Sequence, residues 1–269
     1  MTHYFITGGS AGIGAAMARQ LCAGPKSNGK RLRKPQPENN PLSPNEGNIV
    51  SAIARRVDRL DEMSKEFSNF HGQPCDVTDA DAVATAINHA TTTHGAIDTA
   101  ILNAGIYQPQ DGLNIDPAAY ARHMDVNYMG VVNALATLVP AMVKRGAGHL
   151  VIISSVAGWR GLPKSAAYGP TKAALISLSE SLYFELKPKG VNIQVICPGF
   201  VESEATAVND FDMPGLMSAD AAAQAIIDAM ASDEFMPHFP KSFTRSMSML
   251  RYLPDKLFFK IVGKRTGYL

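Results

Sequence analysis

Thr7-Gly8-Gly9-Ser10-Ala11-Gly12-Ile13-Gly14 follows the apolar run Tyr4 to Thr7 and opens into an alanine-rich stretch. A glycine-rich turn between strand and helix brings bare backbone to a helix N-terminus, where unpaired N–H groups and the helix dipole favour negative charge. Such a turn can also be no more than a tight connection. Its place directly after the first strand points to a dinucleotide pyrophosphate held by Gly8, Ser10, Gly12, Ile13 and Gly14. The second apolar run ends Ile53-Ala54-Arg55-Arg56. An NAD-selective fold usually offers the adenosine ribose a carboxylate at that point. Arg55 instead presents a planar guanidinium suited to a 2′-phosphate, so NADP(H) is expected in preference to NAD(H). The plainer alternative is that Arg55 and Arg56 only cap a solvent-facing strand end.

Outward from these two segments, short β-branched runs alternate with helical patterns. Strands are predicted at Tyr4–Thr7, Ile49–Ala54, Gln73–Asp76, Thr99–Asn103, His149–Ser154 and Val191–Cys197, with a weaker seventh at Phe235–Phe239. Helices are predicted to begin at Ile13, Leu60, Ala80, Pro117, Val131, Ala173 and Ala219, with Asp79 and Asp116 as start signals. This is the pattern of a single α/β domain, a Rossmann-type doubly wound parallel sheet of about seven strands whose ligands sit at the strand carboxyl ends.

Composition agrees and excludes several classes. The 269 residues are 46% hydrophobic and 18% charged, enough to bury a core. Twenty-five Lys and Arg against 24 Asp and Glu leave a net charge of +1, so no chain-wide field would hold nucleic acid. Cys22, Cys75 and Cys197 are too few and too scattered for a disulfide framework or a metal site, which favours a reducing, cytoplasmic setting. Neither an export signal nor a run of about 18 apolar residues is present, so no membrane span is expected.

Two segments depart from the pattern. Residues 24–47 carry five prolines, four asparagines and the cluster Lys30-Arg31-Leu32-Arg33-Lys34, and read as a mobile surface insertion away from the site. Residues 241–269 interleave Met247, Met249, Leu250, Leu253, Leu257, Phe258, Phe259, Ile261 and Val262 with Arg251, Lys256, Lys260, Lys264 and Arg265. They read as an amphipathic basic tail beyond a unit spanning 1–240. That tail either packs on the domain or a partner subunit, or touches a membrane surface peripherally.

Tyr168-Gly169-Pro170-Thr171-Lys172 sets a phenol and an ammonium four residues apart, on one face of a continuous helix. A lysine beside a tyrosine favours the phenolate and lowers the phenol's pKa toward the range useful for proton exchange with a carbonyl or alcohol oxygen. Pro170 must then lie in the helix's first turn. Taken alone, this spacing describes many ordinary helix faces.

With these motifs in this order, the sequence resembles the short-chain dehydrogenase/reductase family over about residues 3 to 205. The turn Thr7–Gly14 is similar to the family's cofactor loop, Asn103-Ala104-Gly105 to its strand-four motif, Asn127 to its asparagine, and Pro198-Gly199 to its motif after strand six. Ser155 lies thirteen residues before Tyr168, the family's usual spacing, and is preferred to Ser154. The resemblance implies a catalytic tetrad of Asn127, Ser155, Tyr168 and Lys172. Tyr168 would give its proton to the carbonyl oxygen and Ser155 would hold that oxygen. Lys172 would bind the nicotinamide ribose and depress the tyrosine, and Asn127 would hold a relaying water. It further implies that Asp76 and Val77 border the adenine and that Pro198, Gly199, Val201 and Ser203 hold the nicotinamide. Leu102 and Ser203 depart mildly from the family pattern, where asparagine and threonine are common.

The expected activity is interconversion of a carbonyl and an alcohol. The segment 202–217 reads as a substrate lid, and Phe211, Met213, Leu216 and Met217 with Trp159 and Leu162 are candidate walls of an apolar pocket. The helices around Val131–Arg145 and Tyr168 are apolar on more than one face, as expected if they also form a subunit interface, and the resemblance implies a homodimer or homotetramer. A non-catalytic dinucleotide-binding scaffold is the competing reading, opposed by the intact tetrad. A nucleotide-sugar epimerase fits worse, since no second substrate domain is evident.

Overall fold

A computed structural model describes residues 2–24, 48–209 and 211–269. All but the first residue of the predicted insertion 24–47 therefore lies outside the described residues. The elements follow one another as β1 (His3–Thr7), α1 (Gly12–Ala23), β2 (Ile49–Ala54), α2 (Val57–Glu66), β3 (Phe70–Pro74), α3 (Ala80–His94), β4 (Thr99–Leu102), α4 (Pro117–Met124), α5 (Gly130–Arg145), β5 (Gly148–Ile153), α6 (Tyr168–Leu186), β6 (Val191–Pro198), α7 (Ala219–Met230), β7 (His238–Phe239), α8 (Lys241–Leu250) and α9 (Asp255–Thr266). The strands form one parallel sheet in the order β3-β2-β1-β4-β5-β6-β7. The order reverses between β1 and β4, which opens a crevice at their carboxyl ends.

Alternation along each strand feeds two cores. Tyr4 and Ile6 join Val50, Ala52, Ile101 and Val151 beneath α1 and α7, whereas Phe5 joins Ile53, Ala100, Leu102, Leu150 and Ile152 beneath α3, α5 and α6. Asp79 caps α3 by accepting from the Ala82 N–H at 2.9 Å, and Asp116 caps α4 from Ala118 at 3.0 Å. Between α4 and α5 a π-helical turn, Asp125–Met129, carries Asn127. The helical run 117–145 is long and apolar enough, by length and composition, to cross a membrane. Here Ala119, Asn127, Leu138 and Met142 from that run are buried in the domain.

Some boundaries differ from expectation. The third strand is Phe70–Pro74, which leaves Asp76 in the following loop. The helix expected from Ala173 begins at Tyr168, with Pro170 as its third residue, and the one expected from Leu60 begins at Val57. The weak seventh strand shortens to His238–Phe239.

Candidate active site

The carboxyl ends of β1, β2, β4, β5 and β6 border one cleft of about 920 Å³. Its floor at one end is the glycine-rich turn. The Gly8 N–H donates to the Ile53 carbonyl at 2.8 Å, and φ is +74° at Gly8 and +51° at Gly12, a backbone region that side chains disfavour. A Cβ on Gly14 would lie 2.1 Å from the Gly8 carbonyl oxygen. Asn103 braces the turn from behind, donating from Nδ2 to the Thr7 carbonyl at 3.3 Å. The backbone N–H groups of Asn103 and Ala104 both donate to Thr7 Oγ1 at 3.0 Å. Helix α1 has Ala11 at its N-cap position, hence no side-chain cap, and no acid in its first turn. Uncapped N–H groups and a bare turn suit an anionic group such as a dinucleotide's pyrophosphate.

Arg55 and Asp76 border the cleft beyond the carboxyl ends of β2 and β3. Asp76 Oδ1 accepts from the Thr78 N–H at 3.0 Å and from Thr78 Oγ1 at 2.8 Å. Those bonds, with the nearby Arg55 charge, hold its carboxyl below the usual range. Val77 packs against Gly130, and its carbonyl accepts from Asn133 Nδ2 at 2.9 Å. Arg55 is exposed, borders the cleft and makes no ion pair among the described residues. Arg56 is engaged: its guanidinium reaches Glu204 at 2.8 and 3.0 Å, with Arg59 on the same carboxylate at 3.2 Å. The second arginine of the pair thus spans from β2 to the 202–217 segment.

The four residues expected to do chemistry meet at the other end. Tyr168 is the first residue of α6 and Lys172 lies one turn on, 4% exposed, with Nζ donating to the Ile153 carbonyl at 2.9 Å and 5.6 Å from the Tyr168 ring centre. Ser155 hydrogen-bonds to the Tyr168 side chain, accepts from the Ala157 N–H at 3.1 Å and donates to the Pro198 carbonyl at 3.4 Å. Ser154 faces the helix instead, donating to the Lys172 carbonyl at 2.8 Å. Asn127 is fully buried. Its Oδ1 accepts from the Ile106 N–H at 2.7 Å, and its Nδ2 donates to the Ile106 carbonyl at 3.0 Å and to Thr171 Oγ1 at 3.1 Å. Its amide therefore fastens the loop after β4 to α6 directly over Gly105.

Electrostatics revise one expectation. Burial pushes the Tyr168 phenol up to about 12, against the lowering effect of Ser155, and pushes the Lys172 ammonium down to about 8. In the protein alone, desolvation outweighs any help that Lys172 gives the phenolate.

Beyond Tyr168 and Ser155, the wall of the cleft differs from the expected set. Leu162 lines it, together with Ile106, Tyr107, Val156, Phe200 and Phe243. Trp159 instead turns edge-on to His238 at 5.3 Å, Met217 bridges to Val201, and Phe211 and Leu216 are 40% and 41% exposed. Met213 does not border the cleft and accepts from Asn209 Nδ2 at 3.3 Å. Tyr107 was missed from sequence. Its ring meets Tyr168 edge-on at 5.1 Å and its hydroxyl donates to Asn209 Oδ1 at 3.0 Å. Phe243 lies on α8, in the segment set apart as a tail. A second cavity of about 670 Å³ behind Ser10 to Gly12 holds none of the four chemical residues.

Comparison with known proteins gives this arrangement its context. The profile of the short chain dehydrogenase family matches residues 44–213. An uncharacterized oxidoreductase of Myxococcus xanthus is 32% identical over 257 residues, covering 94% of this chain and 93% of that protein. A short-chain dehydrogenase of Streptomyces avermitilis superposes with a TM-score of 0.76 at 22% identity, covering 98% of both chains. A short chain dehydrogenase of Burkholderia cenocepacia in complex with NADP gives 0.76 at 23% identity, covering 98% of this chain and 96% of that one. From the profile match and the Myxococcus relative together, the chain belongs to the short-chain dehydrogenase/reductase family and is an oxidoreductase.

Proposed function

We propose that this oxidoreductase uses NADP(H) in preference to NAD(H) to interconvert a ketone or aldehyde and its alcohol on an apolar substrate. The observation that carries the reading is the cleft itself. Tyr168, Ser155 and Lys172 line one end and the uncapped start of α1 the other, with Arg55, which makes no ion pair among the described residues, at the adenosine edge. The dinucleotide, when bound, supplies or accepts the hydride. Gly8, Ser10, Gly12, Ile13 and Gly14 bind its pyrophosphate, Arg55 its 2′-phosphate, and Asp76 and Val77 flank the adenine. Asn103, Ala104, Gly105, Pro198, Gly199, Val201 and Ser203 orient the nicotinamide half.

Tyr168 moves a proton between its hydroxyl and the substrate oxygen, Ser155 donates to that oxygen, and Lys172 holds the ribose hydroxyls. Asn127 acts as a positioning residue by fixing the loop above Gly105. In this reading 1–240, completed at the apolar wall by Phe243 of α8, is the catalytic unit and 202–217 its lid. The apolar wall of Ile106, Leu162, Phe200 and Phe243 supports the substrate class. The outward faces beside α5 and along α6, with Met129 and Phe184 40% and 77% exposed, support a homodimer or homotetramer. Three free cysteines support a reducing, cytoplasmic setting.

The test is initial rates with NADPH and NADH against a panel of apolar ketones and quinones, for the wild type, Tyr168→Phe and Arg55→Ala. A charge-assisted pair is worth about 1.5–3 kcal/mol, so Arg55→Ala should lower kcat/KM for NADPH roughly tenfold to a hundredfold and leave NADH unaffected. Equal Michaelis constants for the two cofactors in the wild type overturn the cofactor assignment. Full turnover in Tyr168→Phe overturns the mechanism.

A further inference from the structure

Helices α8 and α9 have one face in the domain and another in solvent. On the inner side Phe258 is 2% exposed, and the Arg160 guanidinium lies 3.8 Å from its ring centre. The same guanidinium donates to the Leu253 carbonyl at 2.7 Å and pairs with Asp255 at 2.5 Å. The outer side is of another character. Lys256, Lys260 and Lys264 recur every fourth residue of α9, forming one stripe along the helix. None of the three has an ion-pair partner among the described residues. Phe259 and Leu257 flank the stripe at 58% and 43% exposure, and Tyr252, just before α9, is 79% exposed. Residues 241–269 hold seven Lys and Arg and a single acid, in a chain whose balance is +1. This segment therefore carries a local excess of positive charge, and Lys256, Lys260 and Lys264 place three of its cations on the outer face of α9.

We propose that the outer face of α9, with Tyr252, docks on an anionic phospholipid bilayer. Cationic side chains beside exposed aromatic and aliphatic ones meet both parts of such a surface. The ammonium groups face the headgroups, and Phe259, Leu257 and Tyr252 enter the boundary with the acyl chains. A second copy of the chain is a poorer occupant, since a two-fold contact would set lysine stripe against lysine stripe. The proposal also deepens the functional reading and in that respect rests on it. Helix α8 of the same unit supplies Phe243 to the apolar end of the cleft, so the surface that meets lipid is joined to the wall that would take a lipid-soluble carbonyl compound.

The experiment is co-sedimentation of the full chain with phosphatidylcholine vesicles, with and without about one-third phosphatidylserine. It is run at low and at high salt, for the wild type, Lys256→Gln/Lys260→Gln/Lys264→Gln and Phe259→Ser. A surface lysine contributes about a fivefold gain in partitioning. The wild type should therefore bind the anionic vesicles alone and be released by salt. The triple variant should bind about a hundredfold more weakly, with unchanged thermal unfolding and unchanged NADPH turnover in detergent-free buffer. Absence of binding to anionic vesicles overturns the proposal, as does equal binding by the triple variant. A drop in the solution mass of Phe259→Ser without loss of vesicle binding also overturns it, by giving the face to a second copy. Vesicle binding by a protein that turns over no carbonyl substrate would sink the catalytic reading and leave the surface standing. Turnover without vesicle binding would do the reverse.

Discussion

Raising the pH through 8 should switch the enzyme off at Lys172, well before Tyr168 loses its proton. Burial sets the ammonium at about 8 and the phenol at about 12, so in the free enzyme the first proton to leave above neutrality comes from the lysine. Its pKa is depressed, so the charged form prevails below about 8 and is lost as the pH rises past it. One unit above the pKa about one molecule in eleven still carries the charge, and two units above about one in a hundred. If the charged lysine is what binds the ribose hydroxyls, kcat/KM for NADPH should fall about tenfold per unit above pH 8 and about a hundredfold by pH 10. The assay is the initial rate at limiting NADPH and saturating ketone from pH 6 to 10.5, because that ratio reports groups of the free enzyme. Lys172→Arg keeps a cation whose pKa exceeds about 12, so its profile should stay level up to pH 10 whatever its absolute rate. A descending limb near 8 that survives in Lys172→Arg, or a wild type that stays level to pH 10, refutes the reasoning.

Three further outcomes are expected. His149 is buried, its Nε2 paired with Gln194 Oε1 at 3.0 Å, and burial lowers it to about 4. The neutral form favours the folded state, so this stability is present above pH 6.5 and is lost as the pH falls toward 4, by about 2 kcal/mol at pH 5. Urea denaturation at pH 8 and pH 5 should show the difference shrinking in His149→Gln, which keeps a donor for Gln194. Gly14→Ala would place its Cβ 2.1 Å from the Gly8 carbonyl oxygen, so the turn must open; calorimetry should find roughly 1–3 kcal/mol of destabilisation, and titration of NADPH fluorescence should find weaker binding. The two adjacent serines should part company in a paired assay. Ser155→Ala should lower kcat by about 10²–10³ and cost about 1 kcal/mol for the lost cap on the Ala157 N–H, and Ser154→Ala should cost roughly 1–3 kcal/mol of stability with turnover kept.

What was legible in the sequence was legible for local reasons. The glycine-rich turn needs positive φ at Gly8 and Gly12, and the caps Asp79 and Asp116 sit beside the N–H groups they accept from, so neighbours in sequence suffice to place them. The third strand was misplaced because Phe70-His71-Gly72-Gln73-Pro74 contains a glycine and a proline and little apolar character. As the edge strand it pairs with β2 alone, and an edge tolerates a proline that a central strand would reject. Pro170 lies in the first turn of its helix, as expected, the third residue of α6, where its missing N–H does no harm; only the start, expected at Ala173, comes earlier, at Tyr168. The wall of the cleft was the least legible part. Tyr107, Phe200 and Phe243 come from three distant segments that only the closed sheet brings together, and nothing near Phe243 in sequence marks it as facing the site.

That wall bears on how substrates would be told apart. The stems of the 202–217 segment are tied by backbone bonds, Glu202 N–H to the Met217 carbonyl at 2.8 Å and Met217 N–H to the Phe200 carbonyl at 3.0 Å. Between the stems, the polar side-chain contacts to the rest of the cleft among the described residues are Glu204 with Arg56 and Arg59, in ion pairs open to solvent, and Asn209 with Tyr107, and the half-exposed Phe211 ring meets Phe200 edge-on at 5.9 Å. Solvent and salt screen the first, and a single hydrogen bond is worth about 1 kcal/mol, so the span is held far less firmly than its stems. Phe200, by contrast, sits at the tied stem and lies 5.5 Å from the Phe243 ring, and a Cβ on Gly199 would already meet Phe243 at 3.0 Å. Motion of the span moves Asn209 and Phe211 and leaves Phe200 and Phe243, which lie outside it, in place. In the proposed reaction, discrimination by size therefore falls to the fixed Phe200–Phe243 wall. Enlarging it with Phe243→Ala should shift the preference toward bulkier ketones, whereas Leu216→Ala, on the exposed span and away from the cleft, should not.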